Sequence, residues 1–169
     1  YKNLSTSYRH NLEFKLMFAI LNSTTDQLTK EFKEKAKRQL LQIGKIDEDS
    51  LFNVNLLIPI IDYQSLKILM NYLLKSNEVR KNDCLLTRLL YNAILSFLWR
   101  CYQEQDIAEM KKMLSFLKSR SINSSLVLEN NLVNCYEYLL KGNYSKLNDT
   151  VDALKLCGYE KFVADFEEL

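Results

Sequence analysis

Three glycines and a single proline in 169 residues leave this chain almost without backbone breakers. Strand-rich folds spend both residue types on their corners. Their scarcity points to long helices joined by short polar turns. Histidine occurs once, as His10, and the four cysteines, Cys84, Cys101, Cys135 and Cys157, stand far apart with no CxxC pair. Metal sites need clustered thiolate and imidazole donors, so no metal is expected. The thiols read as free residues in helix interiors, and an intracellular, reducing compartment fits them. Gly44, Gly142 and Gly158 are isolated from one another, so no glycine-rich loop can cradle a phosphate. No serine or cysteine motif accompanies His10, and a catalytic triad has nothing to stand on. The paired carboxylates Asp47/Glu48/Asp49 and Glu167/Glu168 fall in a polar turn and at the chain end, where they read as solvated charge. The expectation is a protein that is not an enzyme and uses no cofactor. A net charge of +2 marks neither a nucleic-acid nor a membrane surface. There is no apolar run long enough to span a bilayer, and no secretory leader pattern.

What the chain does have is helical periodicity, on a composition that is 47% hydrophobic and 26% charged. Residues 1–8 read as a frayed lead-in. Leu12, Leu16, Ala19 and Ile20 then form the first apolar stripe, broken at Asn22-Ser23-Thr24-Thr25. Asp26 is expected to cap a second helix that Gly44 stops. A third runs from Asp49 to Ile58 near Pro59, and a fourth from Tyr63 to about Lys75. A polar connection through Ser76-Asn77 and Lys81-Asn82-Asp83 leads to the most apolar helix, Cys84 to about Tyr102. Four more follow: Asp106 to about Lys118, Leu126 to Lys141, one lined by Leu147, Val151 and Leu154, and Tyr159 to Leu169. The fold class is therefore all-α: about nine helices, mostly antiparallel neighbours because the turns are short. An internal repeat, Met110/Leu114/Leu117 returning 37 residues on as Leu147/Val151/Leu154, suggests a superhelical, tetratricopeptide-like stack of helix hairpins. The whole chain, 1–169, reads as one helical-repeat domain.

The chemically informative residues are polar ones inside apolar helices. In the segment from Leu85 to Trp99 the exceptions Arg88, Asn92 and Ser96 recur every fourth residue and share one face. A buried guanidinium or amide is costly without a partner. Two accounts remain open: internal satisfaction, with Arg88 paired to a carboxylate, or a stripe lining a concave wall that faces a ligand. Asn131 and Asn134 share a face of a later helix, with Tyr138 one turn on, and Asn53 and Asn55 sit in an apolar run. An asparagine amide donates and accepts at once, so it can hold a peptide backbone without reading its side chains. The candidate ligand-binding residues are Asn55, Arg88, Asn92, Asn131 and Asn134, with Trp99 as an apolar wall.

From about Leu51 onward the chain resembles the C-terminal regulatory domain of the Rgg/GadR/MutR transcriptional regulators of low-GC Gram-positive bacteria. The likeness is carried by Leu51-Phe52-Asn53-Val54-Asn55 with the apolar run to Asp62, and by Arg88-Leu89-Leu90-Tyr91-Asn92. It continues in Tyr138-Leu139-Leu140-Lys141-Gly142, in Leu154-Lys155-Leu156-Cys157-Gly158-Tyr159-Glu160-Lys161-Phe162, and in the closing Phe166-Glu167-Glu168-Leu169. One departure is that Ile43-Gly44-Lys45-Ile46 lacks the tryptophan the family often has there. The resemblance implies a cytoplasmic quorum-sensing receptor domain that binds a short signalling peptide and forms a homodimer. DNA would be bound only through an N-terminal helix-turn-helix domain absent from this sequence. It places Asn55, Arg88 and Asn92 on family-like positions, whereas Asn131 and Asn134 follow from helix facing alone. The sequence opens at Tyr1 without Met, as expected for part of a longer protein. The dimer contact is expected from the terminal helix, through Phe162 and Phe166 or its neighbour. The alternative reading is a helical-repeat scaffold for a protein partner, with no small peptide ligand. Far-ultraviolet circular dichroism is expected to show a helical spectrum, and substantial strand content would overturn this fold class.

Overall fold

A computed structural model describes residues 2–41, 46–75, 84–120 and 124–167. Among these the secondary structure is helical throughout, with no strand. The nine α-helices are α1 (Lys2–Leu21), α2 (Lys30–Leu40), α3 (Glu48–Leu57), α4 (Tyr63–Lys75), α5 (Cys84–Gln103), α6 (Ile107–Lys118), α7 (Val127–Leu140), α8 (Tyr144–Leu156) and α9 (Glu160–Val163). Four single-turn 3-10 segments join or finish them, at Thr25–Gln27, Ile58–Ile60, Ser124–Leu126 and Ala164–Phe166. None of the described helices is long and apolar enough to cross a membrane.

Several expected boundaries move for identifiable reasons. Helix α1 begins at Lys2, so the expected frayed lead-in is helical. Asp26 lies in the Thr25–Gln27 turn, and the cap of α2 is Thr29, whose Oγ1 accepts from the Phe32 N–H at 3.2 Å. Asp47 is a cap rather than loose surface charge. It and Ser50 form a reciprocal capping box at 3.0 and 2.9 Å, which starts α3 at Glu48. The terminal helix is shorter than expected, one turn of α9 followed by the 3-10 turn. Gly44 as a terminator, and the polar connection 76–83, lie outside the described residues.

The chain divides into two compact units, Tyr1–Phe97 and Leu98–Leu169, with the boundary inside α5. In the first unit α1, α2 and α3 pack on one another. Leu16, Leu40, Leu51 and Leu57 are at most 1% exposed there. Burial of such side chains is the main favourable term, about 1.5–3 kcal/mol each. Helix α4 buries Leu66, Leu69, Met70 and Leu73, and the Tyr63 ring stacks on Phe97 of α5 at 5.9 Å.

In the second unit α7 packs on both α6 and α8, and α8 on α9. Glu137 of α7 receives Lys118 from α6 and Lys141 from the C-cap of its own helix. Hydrogen bonds from these two ammonium groups hold its carboxyl below the usual carboxylate range. Phe166 is buried, edge-on to Tyr136 at 4.9 Å and to Trp99 at 6.3 Å. It is therefore a core residue, not the exposed dimer contact expected from the sequence, whereas Phe162 is exposed. Burial pushes the Tyr136 hydroxyl well above the tyrosine range and the Cys135 thiol up to about 11. Cys101 and Cys135 are buried thiols as expected, but Cys84 and Cys157 are exposed at helix ends.

Among the described residues, four helix ends are closed by the same pair of backbone bonds. After α7, Gly142 donates to Leu139 O (3.1 Å) and Asn143 to Tyr138 O (2.9 Å). After α8, Gly158 donates to Lys155 O (2.8 Å) and Tyr159 to Leu154 O (3.0 Å). This is the Schellman arrangement, and both glycines have the positive φ it requires, +65° and +84°. The ends of α1 and α5 make the same bonds with Ser23 (φ 53°) and Gln105 (φ 55°) in the left-handed position. A side chain there is strained by about 1 kcal/mol. The Gln105-Asp106 and Gly142-Asn143 joints are 37 residues apart. Asp106 and Asn143 each then cap the following helix. The apolar repeat thus extends to the hairpin joint, and all six of its apolar residues are buried. Replacing Gln105 by Gly relieves the strain, and the substitution is expected to stabilise the protein by about 0.5–1 kcal/mol. Thermal unfolding checks this: an unchanged or lower melting temperature would contradict the strain.

Candidate functional site

The residues proposed for ligand contact fall three to each unit: Asn55, Arg88 and Asn92 in the first, Trp99, Asn131 and Asn134 in the second. Within the first unit, α5 buries Leu86, Leu90, Tyr91, Ala93, Ile94 and Phe97, and Leu95 at the edge of the polar row. Arg88, Asn92 and Ser96 are exposed. The helix is therefore sided rather than enclosed, and the premise that its polar groups are buried on every side is corrected. Their desolvation cost is small. The polar stripe is instead a surface presented by a well-packed helix.

Asn55 is placed differently. Its half-buried Nδ2 donates to Leu51 O at 2.8 Å within α3 and to Leu89 O at 3.0 Å on α5. Both amide protons are thus used to join two helices beside Arg88, a positioning role for α5. Its neighbour Asn53 is 2% exposed, and its Oδ1 has no hydrogen-bond partner among the described residues. A buried carbonyl in that state costs about 1–3 kcal/mol. The signal for Asn53 in the sequence is its place in an apolar run.

In the second unit Trp99 is half-buried, stacked on Tyr102 at 5.6 Å and edge-on to Phe166. This aromatic cluster is the packing that Trp99 takes part in. Asn131 Nδ2 donates to Val127 O of its own helix at 2.8 Å, and Asn134 is half-buried three residues on.

Other chemistry is sparse. His10 is exposed, with Nδ1 2.9 Å from Glu13 Oε2, on a carboxylate that Arg9 also engages. Among the described residues no three His, Cys, Asp or Glu side chains gather where a metal could be held. An open depression on α4 is lined by Gln64, Lys67, Ile68, Asn71, Tyr72 and Lys75. All six belong to one helix, so it lacks the convergence of elements that a catalytic cleft uses.

No family model, curated protein or solved structure matches the chain.

The two asparagine and arginine positions are separable by stability. Asn55→Ala is expected to cost about 1–2 kcal/mol by losing the α3–α5 bond. Arg88→Ala, at an exposed position, should cost under about 1 kcal/mol. Paired denaturant titrations read both, and an Arg88→Ala loss larger than that of Asn55→Ala would return Arg88 to a structural role.

Proposed function

We propose that this chain is a non-catalytic recognition domain that binds a short peptide along the polar face of α5. The observation that carries the reading is the exposure of Arg88, Asn92 and Ser96, in one row, on a helix whose opposite side is locked into the core. Successive rungs of that row rise about 6 Å along the helix axis. An extended peptide repeats every second residue at about 6.7 Å. Alternate peptide units can therefore meet successive rungs: the Asn92 amide and Ser96 hydroxyl each donate and accept, and Arg88 takes a C-terminal carboxylate in a charge-assisted pair. Asn55 supports this by fixing α5 at Leu89, one residue from Arg88.

The resemblance to the regulatory domains of Rgg/GadR/MutR regulators supplies the biological form of the proposal. In it the domain senses a signalling peptide in the cytoplasm, dimerises, and reaches DNA through a separate helix-turn-helix domain.

Calorimetric titration with short apolar peptides, each as free acid and as C-terminal amide, tests the reading. Free acids should bind, with Arg88→Ala or amidation each weakening affinity about tenfold, or about 1.4 kcal/mol. Binding that is indifferent to both changes would remove the α5 face from the site. Absence of binding to any peptide, with capture of a folded protein instead, would favour the scaffold reading.

A further inference from the structure

Helix α1 carries two apolar faces. Leu12, Leu16 and Ala19 are at most 4% exposed and pack into the first unit. Phe14, Met17, Phe18 and Leu21 are exposed by 64, 36, 61 and 82%. At about 100° per residue these four cluster within roughly a third of the helix circumference, opposite the core face. Their spacing, i, i+3, i+4 and i+7, is that of a helix-pairing seam. A helix apolar on both sides is one that is covered on both sides.

We infer that the Phe14/Met17/Phe18/Leu21 face of α1 is the surface on which a second copy of this chain docks, antiparallel, about a two-fold axis. The stripe is self-complementary. With the axis passing between residues 17 and 18, Phe14 meets Leu21 of the other copy and Met17 meets Phe18. The second pairing is a sulfur–aromatic contact. Lys15, the charged residue among them in sequence, falls about 60° outside their arc, and the nearest acidic group, Glu13, is already engaged by Arg9 at 3.0 Å on its own helix. The area is sufficient. At about 200 Å² for a fully exposed large side chain, the stripe offers roughly 500 Å² per copy. Pairing two copies buries about 1,000 Å², the threshold for a specific interface. The inference deepens the dimerising half of the proposed function and is independent of whether a peptide binds.

Light scattering on the full chain at about 50 μM should give twice the chain mass of 19.9 kDa. Phe18→Asp should lower the dimer fraction at least tenfold while leaving the helical spectrum unchanged. Phe162→Asp, on the exposed terminal turn, should leave the dimer intact. In a Cys84→Ser/Cys157→Ser background, Met17→Cys should be joined to its own copy by a short bismaleimide. That readout also decides the matter if Phe18→Asp loses its helical spectrum. A wild-type monomer at this concentration overturns the inference. So does a dimer that survives Phe18→Asp, a dimer abolished by Phe162→Asp, or a Met17→Cys chain that does not cross-link. Peptide titration of the monomeric variant separates this outcome from the recognition proposal.

Discussion

Short helix–helix joints are the constraint from which the rest of this structure follows. With three glycines available, the chain closes α1, α5, α7 and α8 by the same two backbone bonds, and at Ser23 and Gln105 it accepts a side chain in the left-handed region. Each such joint ends one helix within a residue or two, and at Asp106 and Asn143 the next helix is capped immediately. Little chain is left for excursions. Helices α1 and α2, α2 and α3, α6 and α7, α7 and α8, and α8 and α9 pack as sequence neighbours, and the apolar stripes that face one another become the cores of the two units.

Polar groups are then sorted by which side of these helices they fall on. Asn55 faces inward and spends its amide on two carbonyls, joining α3 to α5. Arg88, Asn92 and Ser96 face outward from the same α5 that Asn55 steadies. A recognition surface benefits from this division, because donors on a rigid element lose less entropy on binding than donors on a loop. The buried Asn53 oxygen is the counter-example, a polar atom in the core with no hydrogen-bond partner among the described residues.

The outer face of α1 bears on assembly. Exposed apolar side chains are common singly, but four at pairing spacing on one helix form a patch of the size that marks an interaction surface. The terminal segment, by contrast, commits Phe166 to the core beside Tyr136 and Trp99 and leaves Phe162 outside. An interface argued from the sequence at the terminal helix therefore loses one of its two aromatic residues, and the stronger apolar face is at the other end of the chain.

The sequence by itself determined the helical class, the approximate positions of nine helices and the repeat from Met110 to Leu154. These depend on the local period of apolar residues and on breaker content, which are properties of neighbouring residues. It also determined that Arg88, Asn92 and Ser96 share a face, since helical spacing alone dictates that. Only the tertiary structure decided which way that face points. A helix reading as apolar on most sides can be enclosed or sided, depending on what packs against it, and α5 is sided. The same holds for Asn55, whose partner carbonyl at Leu89 is 34 residues away in the chain. Phe166 was legible as apolar but not as buried. The second stripe of α1 was present in the spacing of Phe14, Met17, Phe18 and Leu21 throughout. Periodicity gives a helix its faces, but only the packing of α2 and α3 against Leu12, Leu16 and Ala19 leaves the other face uncovered.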